Sequence, residues 1–245
     1  MIKICLQAGH ENCQYNSITA LRRSTGAPNE MSFNIDIRNK VAEALRLRGF
    51  EVVTTDANAN DDKNITDQDF NLFLSIHYDA DIYGTGGGFV DYPDPSVDKV
   101  TQESQRIVKV IEEQYFSVTK ISDKPLRRNA NTKFYYMWKF LTEKTPCALI
   151  ECGVGMHVPD DHTMLHFNRD IVVQGIVQGI CKAFEVTYEK PVDQCIEVKQ
   201  KLAQMQEAYT LLTKDGEVKQ KKLNDIKDSL TTLQTMLLDT LDILK

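Results

Sequence analysis

Two histidines and two glutamates stand where short apolar runs end or a helix begins. Ile2–Leu6 is an apolar run that leads through Gln7-Ala8-Gly9 into His10, and Phe70–Tyr78 is a second run that ends at His77. Glu30 follows Asn29 at the opening of a segment with helical periodicity, and Glu151 ends the apolar run that starts at Cys147. Two imidazoles and one carboxylate (His10, His77 and Glu30) leave a fourth tetrahedral position open for water, the pattern of a catalytic zinc. Zinc lowers the pKa of such a water towards about 7 and polarises a carbonyl oxygen. A second carboxylate must then manage protons, and Glu151 lies where a partly desolvated acid would be found. Spacing alone does not prove the grouping, because its members are far apart in sequence. A lone histidine at a strand end is more often a satisfied structural residue than a ligand.

The elements that would position these groups read as follows. Ile2–Leu6 is a buried strand. Residues 11–28 are polar, contain Gly26 and Pro28, and form a loop. A helix starts near Asn29, a good N-cap. Phe33, Ile37, Val41 and Leu45 give it one buried stripe, and Gly49 closes it. Phe50–Thr55 is the next strand, and Asp56–Asp69 a loop. Phe70–Tyr78 is a central strand, Gly84–Gly88 a turn, and Phe89–Tyr92 a strand. Val97, Val100, Ile107, Val108, Ile111 and Tyr115 mark a long amphipathic helix. Phe134–Phe140 and Cys147–Cys152 read as strands separated by Pro146. Ile171, Gly175, Ile176, Gly179, Ile180 and Ala183 outline a last helix whose glycines would allow close packing on a sheet. Alternating strands and helices predict an α/β domain with a mixed, largely parallel sheet flanked by helices, followed by a C-terminal all-helical segment. In such sheets sites gather at the carboxyl ends of strands, where His10, His77 and Glu151 all fall.

The chain has 245 residues, 42% of them hydrophobic, with 29 basic and 35 acidic residues and a formal charge of −6. The acidic balance argues against nucleic-acid binding, which needs a basic face. No run of about 18 apolar residues occurs, so no membrane span is expected. No basic region followed by an apolar one precedes the first motif, so no secretory signal is expected. Six cysteines without a CxxC pair read as reduced core thiols rather than a zinc knuckle or a disulfide framework.

From Cys195 onward the strand signal stops. Leu202, Met205, Tyr209, Leu212, Leu223, Ile226, Leu230, Leu233, Leu237 and Leu244 fit one heptad frame, with a weak spot or turn at Lys214-Asp215-Gly216. Residues 186–245 are therefore expected to form a coiled coil, which would make the protein a homo-oligomer, or a helical hairpin, with cell-wall binding as the other role open to the segment. Eight lysines against nine acidic residues from 191 on leave the segment nearly neutral.

The ordered motifs over residues 1–185 resemble the zinc-dependent N-acetylmuramoyl-L-alanine amidases of the Amidase_3 type, bacterial cell-wall hydrolases that also occur as phage endolysins. The apolar strand into Gly-His is Ile4-Cys5-Leu6-Gln7-Ala8-Gly9-His10. The helix that begins with the zinc glutamate and ends in Gly-hydrophobic-Val matches Asn29-Glu30, Asn34 and Leu45–Val52. The second histidine run is Leu72-Phe73-Leu74-Ser75-Ile76-His77, and a glycine-rich turn into a strand follows at Gly86–Val90. The catalytic glutamate motif is Ala148-Leu149-Ile150-Glu151-Cys152-Gly153. Gln7-Ala8 stands where the family often has Asp-Pro. The resemblance implies Zn2+ held by His10, Glu30 and His77, with Glu151 as general base and acid. It implies peptidoglycan as the partner and cleavage of the amide between N-acetylmuramic acid and L-alanine. A phage endolysin made in the host cytoplasm and acting on the wall fits the missing signal.

Arg127, in Pro125-Leu126-Arg127-Arg128, could grip a carboxylate of the stem peptide, although a solvated pair is the plainer reading. His162 and His166, four apart on an expected helix, could bind metal but read as packing, and Cys152 reads as a packed thiol. His157 is a loop residue that could take a role at the cleft. Two further readings stay open: a wall-binding module with a weak metal site, and a zinc carboxypeptidase acting on the stem peptide.

Overall fold

In a computed structural model, residues 1–12, 27–59, 62–79, 86–93, 101–124, 138–141, 144–156, 158–189, 227–229 and 231–232 are described. The chain divides into two units, Met1–Tyr188 and Glu189–Lys245. In the second, residues 227–229 and 231–232 are helical. The rest of the expected heptad segment lies outside the described residues.

The first unit is built on strands β1 (Lys3–Ala8), β2 (Glu51–Thr55), β3 (Leu72–Asp79), β4 (Phe89–Asp91) and β5 (Cys147–Val154). Their order across the sheet is β2-β1-β3-β5-β4. The pairs β1–β2, β1–β3 and β3–β5 are parallel, and β4 joins β5 antiparallel at the edge. The expected mixed, largely parallel α/β sheet is thus what forms. Buried on both faces, the inner strands need near-continuous apolar runs, which Ile4-Cys5-Leu6 and Leu72-Phe73-Leu74 supply.

One face carries Ile4, Leu6, Leu72, Leu74, Ile76, Ala148 and Ile150. It is covered by α1 (Glu30–Arg46), α3 (Thr101–Thr119) and α6 (Arg169–Ala183). Phe33, Ile37, Val41 and Leu45 of α1 are all fully buried against it, as their spacing predicts. The other face carries Cys5, Phe73, Cys147 and Leu149 under a smaller cap that includes Ile65 and Leu141. Side chains alternate along a strand. Following that second face towards the carboxyl ends therefore leads from Cys5 to Gln7, from Phe73 to Ser75 and His77, and from Leu149 to Glu151. An apolar layer gives way to a polar one within one sheet face.

Several expectations are corrected. The segment 56–69 is not all loop: α2 (Lys63–Thr66) forms there, with the Asp62 carboxylate accepting the Asn64 N–H at 2.8 Å. Trp138–Phe140 belongs to a short helix, α4 (Trp138–Leu141), not to a strand; residues 134–137 lie outside the described ones. Asn29 precedes α1 in the left-handed region (φ 69°) and makes no side-chain cap; its carbonyl accepts from Phe33 N–H at 3.0 Å instead. The closure of α1 is as expected: Gly49, at φ 83°, donates its N–H to the Arg46 carbonyl at 3.0 Å and lets Phe50 N–H reach the Leu45 carbonyl at 3.2 Å. Gly179 of α6 packs on α3 rather than on the sheet: a methyl added there would stand 2.8 Å from the Ile111 Cα. α5 (Pro159–Phe167) carries His162 and His166.

Candidate metal centre

The site lies at the carboxyl ends of β1 and β3 and at the amino end of α1. His10 leaves β1 through Gly9 in a left-handed conformation (φ 65°). The Gly9 N–H donates to the Ile76 carbonyl at 3.0 Å, which extends the β1–β3 ladder by one step and sets Gly9 beside His77. Only a hydrogen side chain fits at Gly9, because a methyl would overlap the His77 ring.

Glu30 is the hub. Its Oε1 lies 3.2 Å from His10 Nε2 and 3.1 Å from His77 Nδ1. Its Oε2 accepts the Ala27 N–H at 2.7 Å, so one carboxylate oxygen holds the loop and the other faces both imidazoles. Asn34, one turn along α1, donates through Nδ2 to the Gly9 carbonyl at 3.0 Å and reaches Glu30 Oε1 at 3.4 Å. The two rings stand edge to face, with centroids 4.9 Å apart. One donor atom from each of His10, Glu30 and His77 lies within 4.8 Å of the others.

Electrostatics follow from burial. Burial works to raise the Glu30 pKa, but hydrogen bonds with His10 and His77 more than offset it and hold the carboxyl at about 2. Burial lowers the pKa of His77 against the opposing pull of Glu30, so the neutral imidazole that a metal requires is favoured. Ligands about 2.0–2.2 Å from a tetrahedral zinc lie about 3.4 Å from one another. The two nitrogen-to-oxygen separations, 3.2 and 3.1 Å, are close to that spacing. Two imidazoles and a carboxylate on such a spacing fit the ion.

Glu151 is the register partner of His77 on the neighbouring strand, so the two side chains leave the same sheet face. On its other side Glu151 pairs with Phe89 of β4. Gly88 abuts the Glu151 carbonyl so tightly that a methyl there would overlap it. Asp161 of α5, 5% exposed, accepts N–H groups from Gly87 at 2.6 Å and Val154 at 3.0 Å, tying the glycine turn to the end of β5.

Arg127 and His157 lie outside the described residues. The His162 and His166 rings lie tilted against each other with centroids 4.4 Å apart, and His166 also packs edge-on against Tyr78. No third metal donor joins them among the described residues. Cys5, Cys147, Cys152 and Cys181 are buried thiols. Burial pushes the Cys152 thiol far up, which suits packing rather than nucleophilic attack.

Sequence reasoning missed Gln7, Ser75, Asn34 and Arg38 as parts of the site's framework. Arg38, 8% exposed, pairs with the Glu11 carboxylate and donates to the Thr55 carbonyl at 2.9 Å, anchoring the chain just after His10. The available signal was a polar residue interrupting an apolar strand or a helix's buried stripe.

The model of the N-acetylmuramoyl-L-alanine amidase family matches residues 4–182. No curated protein sequence matches the chain. Among solved structures, the fold is similar to the amidase Ami1 from Mycobacterium smegmatis (20% identity, TM-score 0.57, covering 75% of this chain and 97% of that one). It is also similar to the CwlD amidase of Clostridioides difficile, solved with the GerS lipoprotein (22% identity, TM-score 0.56, 76% and 99%). A third similar structure is the catalytic domain of the CD27L endolysin that targets Clostridia difficile (14% identity, TM-score 0.53, 74% and 98%). With the family model spanning most of the chain, this protein belongs to the N-acetylmuramoyl-L-alanine amidase family.

Proposed function

We propose that this chain is a zinc-dependent N-acetylmuramoyl-L-alanine amidase that cleaves the bond between the lactyl group of N-acetylmuramic acid and L-alanine of the stem peptide, acting as a phage endolysin. The observation that carries the reading is the meeting of His10, Glu30 and His77 at one sheet end, with Glu151 in register beside them. His10, Glu30 and His77 would hold the ion. When bound, zinc supplies Lewis-acid charge that polarises the scissile carbonyl and acidifies water.

The chain's own groups do the rest. Glu151 takes a proton from the attacking water and delivers it to the departing alanine nitrogen, so one carboxylate serves as base and then acid. Gly88 packs against the Glu151 carbonyl, and Asp161 joins the Gly87 turn to β5 at Val154, three residues beyond Glu151. Glu30, fastened at Ala27, keeps its second oxygen aimed at the imidazoles. Arg127 is assigned to a carboxylate of the stem peptide, and residues 186–245 to self-association or wall binding.

The endolysin assignment draws support from the likeness to an endolysin catalytic domain. The test is digestion of purified peptidoglycan. Free N-terminal L-alanine should appear without new reducing sugar ends; reducing ends, or release of D-alanine alone, would overturn the bond assignment. Expressed inside the host, the protein should lyse cells only when a membrane-lesion partner is present.

A further inference from the structure

A line of buried polar side chains runs beneath His77. Gln7 and Ser75 are fully buried on the face they share with His77, and they are register partners on β1 and β3. Gln7 Nε2 donates to the Asp56 carbonyl at 2.9 Å. Ser75 Oγ donates to Gln7 Oε1 at 2.8 Å. His77 Nε2 lies 3.1 Å from Ser75 Oγ.

The direction of this line is fixed at its far end. A backbone carbonyl can only accept, so the Gln7 amide must turn its NH2 to Asp56 and its oxygen to Ser75. An amide oxygen can also only accept, so the Ser75 proton points at Gln7. The Ser75 lone pair is then what meets His77, and His77 Nε2 must bring a hydrogen to it. The remaining nitrogen, Nδ1, holds its lone pair towards Glu30 Oε1, 3.1 Å away. Two electron-rich atoms so placed are reconciled by a cation between them: the metal ion when it is bound, and in the metal-free protein the proton of the His77–Glu30 hydrogen bond.

We infer that Gln7 and Ser75 are positioning residues that commit His77 to its Nε2–H tautomer and so present Nδ1 as the metal donor. The inference rests on the zinc reading above and adds to it the parts that orient one ligand. Such partners set both ring orientation and donor strength. Nothing in the line beyond His77 titrates near neutral pH, so the orientation persists wherever the fold does. The Gln7 amide is essential to this, because it carries a donor for Asp56 and an acceptor for Ser75 on one rigid group.

The experiment uses the full chain loaded with one equivalent of zinc. Zinc Kd is measured by competition with a chromogenic metal dye, and the His77 Nε2–H proton is followed by 15N-resolved NMR. In the wild type this proton should be seen and exchange slowly with water. Ser75→Ala should weaken zinc binding about 10–100-fold and abolish the slow exchange. Ser75→Thr, which keeps a hydroxyl, should restore both. Gln7→Met keeps the volume but frees the Ser75 hydroxyl to rotate, and should shift the Nε2–H resonance and weaken zinc binding several-fold. Circular dichroism confirms that each variant folds. Zinc binding and Nε2–H exchange unchanged in both Ser75→Ala and Gln7→Met would overturn the inference. A wild type that binds no zinc would instead overturn the metal reading on which it stands.

Discussion

His77 of β3 and Glu151 of β5 are register partners on adjacent parallel strands. Their Cα atoms are therefore separated by about one strand spacing, ~4.8 Å, and their side chains leave the same face. A proposed ligand and a proposed proton carrier thus share one rigid support, and neither depends on a loop for its place. Because Glu151 is absent from the three-residue donor group, its loss should separate chemistry from metal binding.

Glu151→Gln should lower the rate of L-alanine release about 10²–10⁴-fold, the range expected for a lost general base and acid. Zinc content by elemental analysis should stay at one per chain. Loss of metal from a folded variant would reassign Glu151 as a ligand.

Gly9→Ala should disturb the centre without altering any ligand. The added methyl overlaps the His77 ring, and an overpacked contact of this kind costs about 1–3 kcal/mol. Thermal melting should fall by several degrees and zinc affinity should drop with it. An unchanged melting point and unchanged zinc Kd would mean the ring moves aside freely.

Acid should destabilise the metal-free protein in two stages. Burial holds the His77 pKa below its ordinary 6.5, so at lower pH the unfolded chain binds a proton that the folded one resists. Stability is then complete above pH 6.5 and falls as pH drops below it. Glu30, held at about 2 against an ordinary 4.5, adds a second loss between those values as pH falls. Melting curves from pH 8 to pH 3 should show both declines. A flat profile between pH 7 and pH 5 would mean that folded His77 takes up its proton as readily as the unfolded chain.

Asp161→Ala should destabilise the fold and reduce turnover while leaving zinc affinity near that of the wild type. It leaves the Gly87 and Val154 N–H groups without their acceptor, at about 1–3 kcal/mol for each buried orphan. Chemical denaturation and zinc titration on the same sample separate the two effects. A loss of zinc binding as large as the loss of turnover would contradict the separation.

Much of the candidate site's geometry was legible because histidines at strand ends leave a pattern: an apolar run, then a histidine. His10 and His77 announced themselves in that way, and Glu30 did so by opening a helix with a clear buried stripe. Gln7 and Ser75 were passed over because each reads as a minor blemish in an apolar strand. Their pairing depends on which strands lie side by side, and the order β2-β1-β3-β5-β4 is not written in local periodicity. Helices α2 and α4, four residues each, are too short to display a period. The glycines of α6 marked a close approach correctly, but the partner was helix α3, a choice set by tertiary packing.

The three donor residues come from separate stretches of chain: the exit of β1, the first turn of α1 and the exit of β3. An ion gripped by all three would rivet together segments 67 residues apart in sequence, from position 10 to position 77. Unfolding would then have to surrender the ion, and resistance to heat would rise with free zinc as RT ln(1 + [Zn]/Kd). Stripping the ion with EDTA should soften the β1–α1–β3 part in concert, making its amides exchange faster than those of the α3–α6 pair.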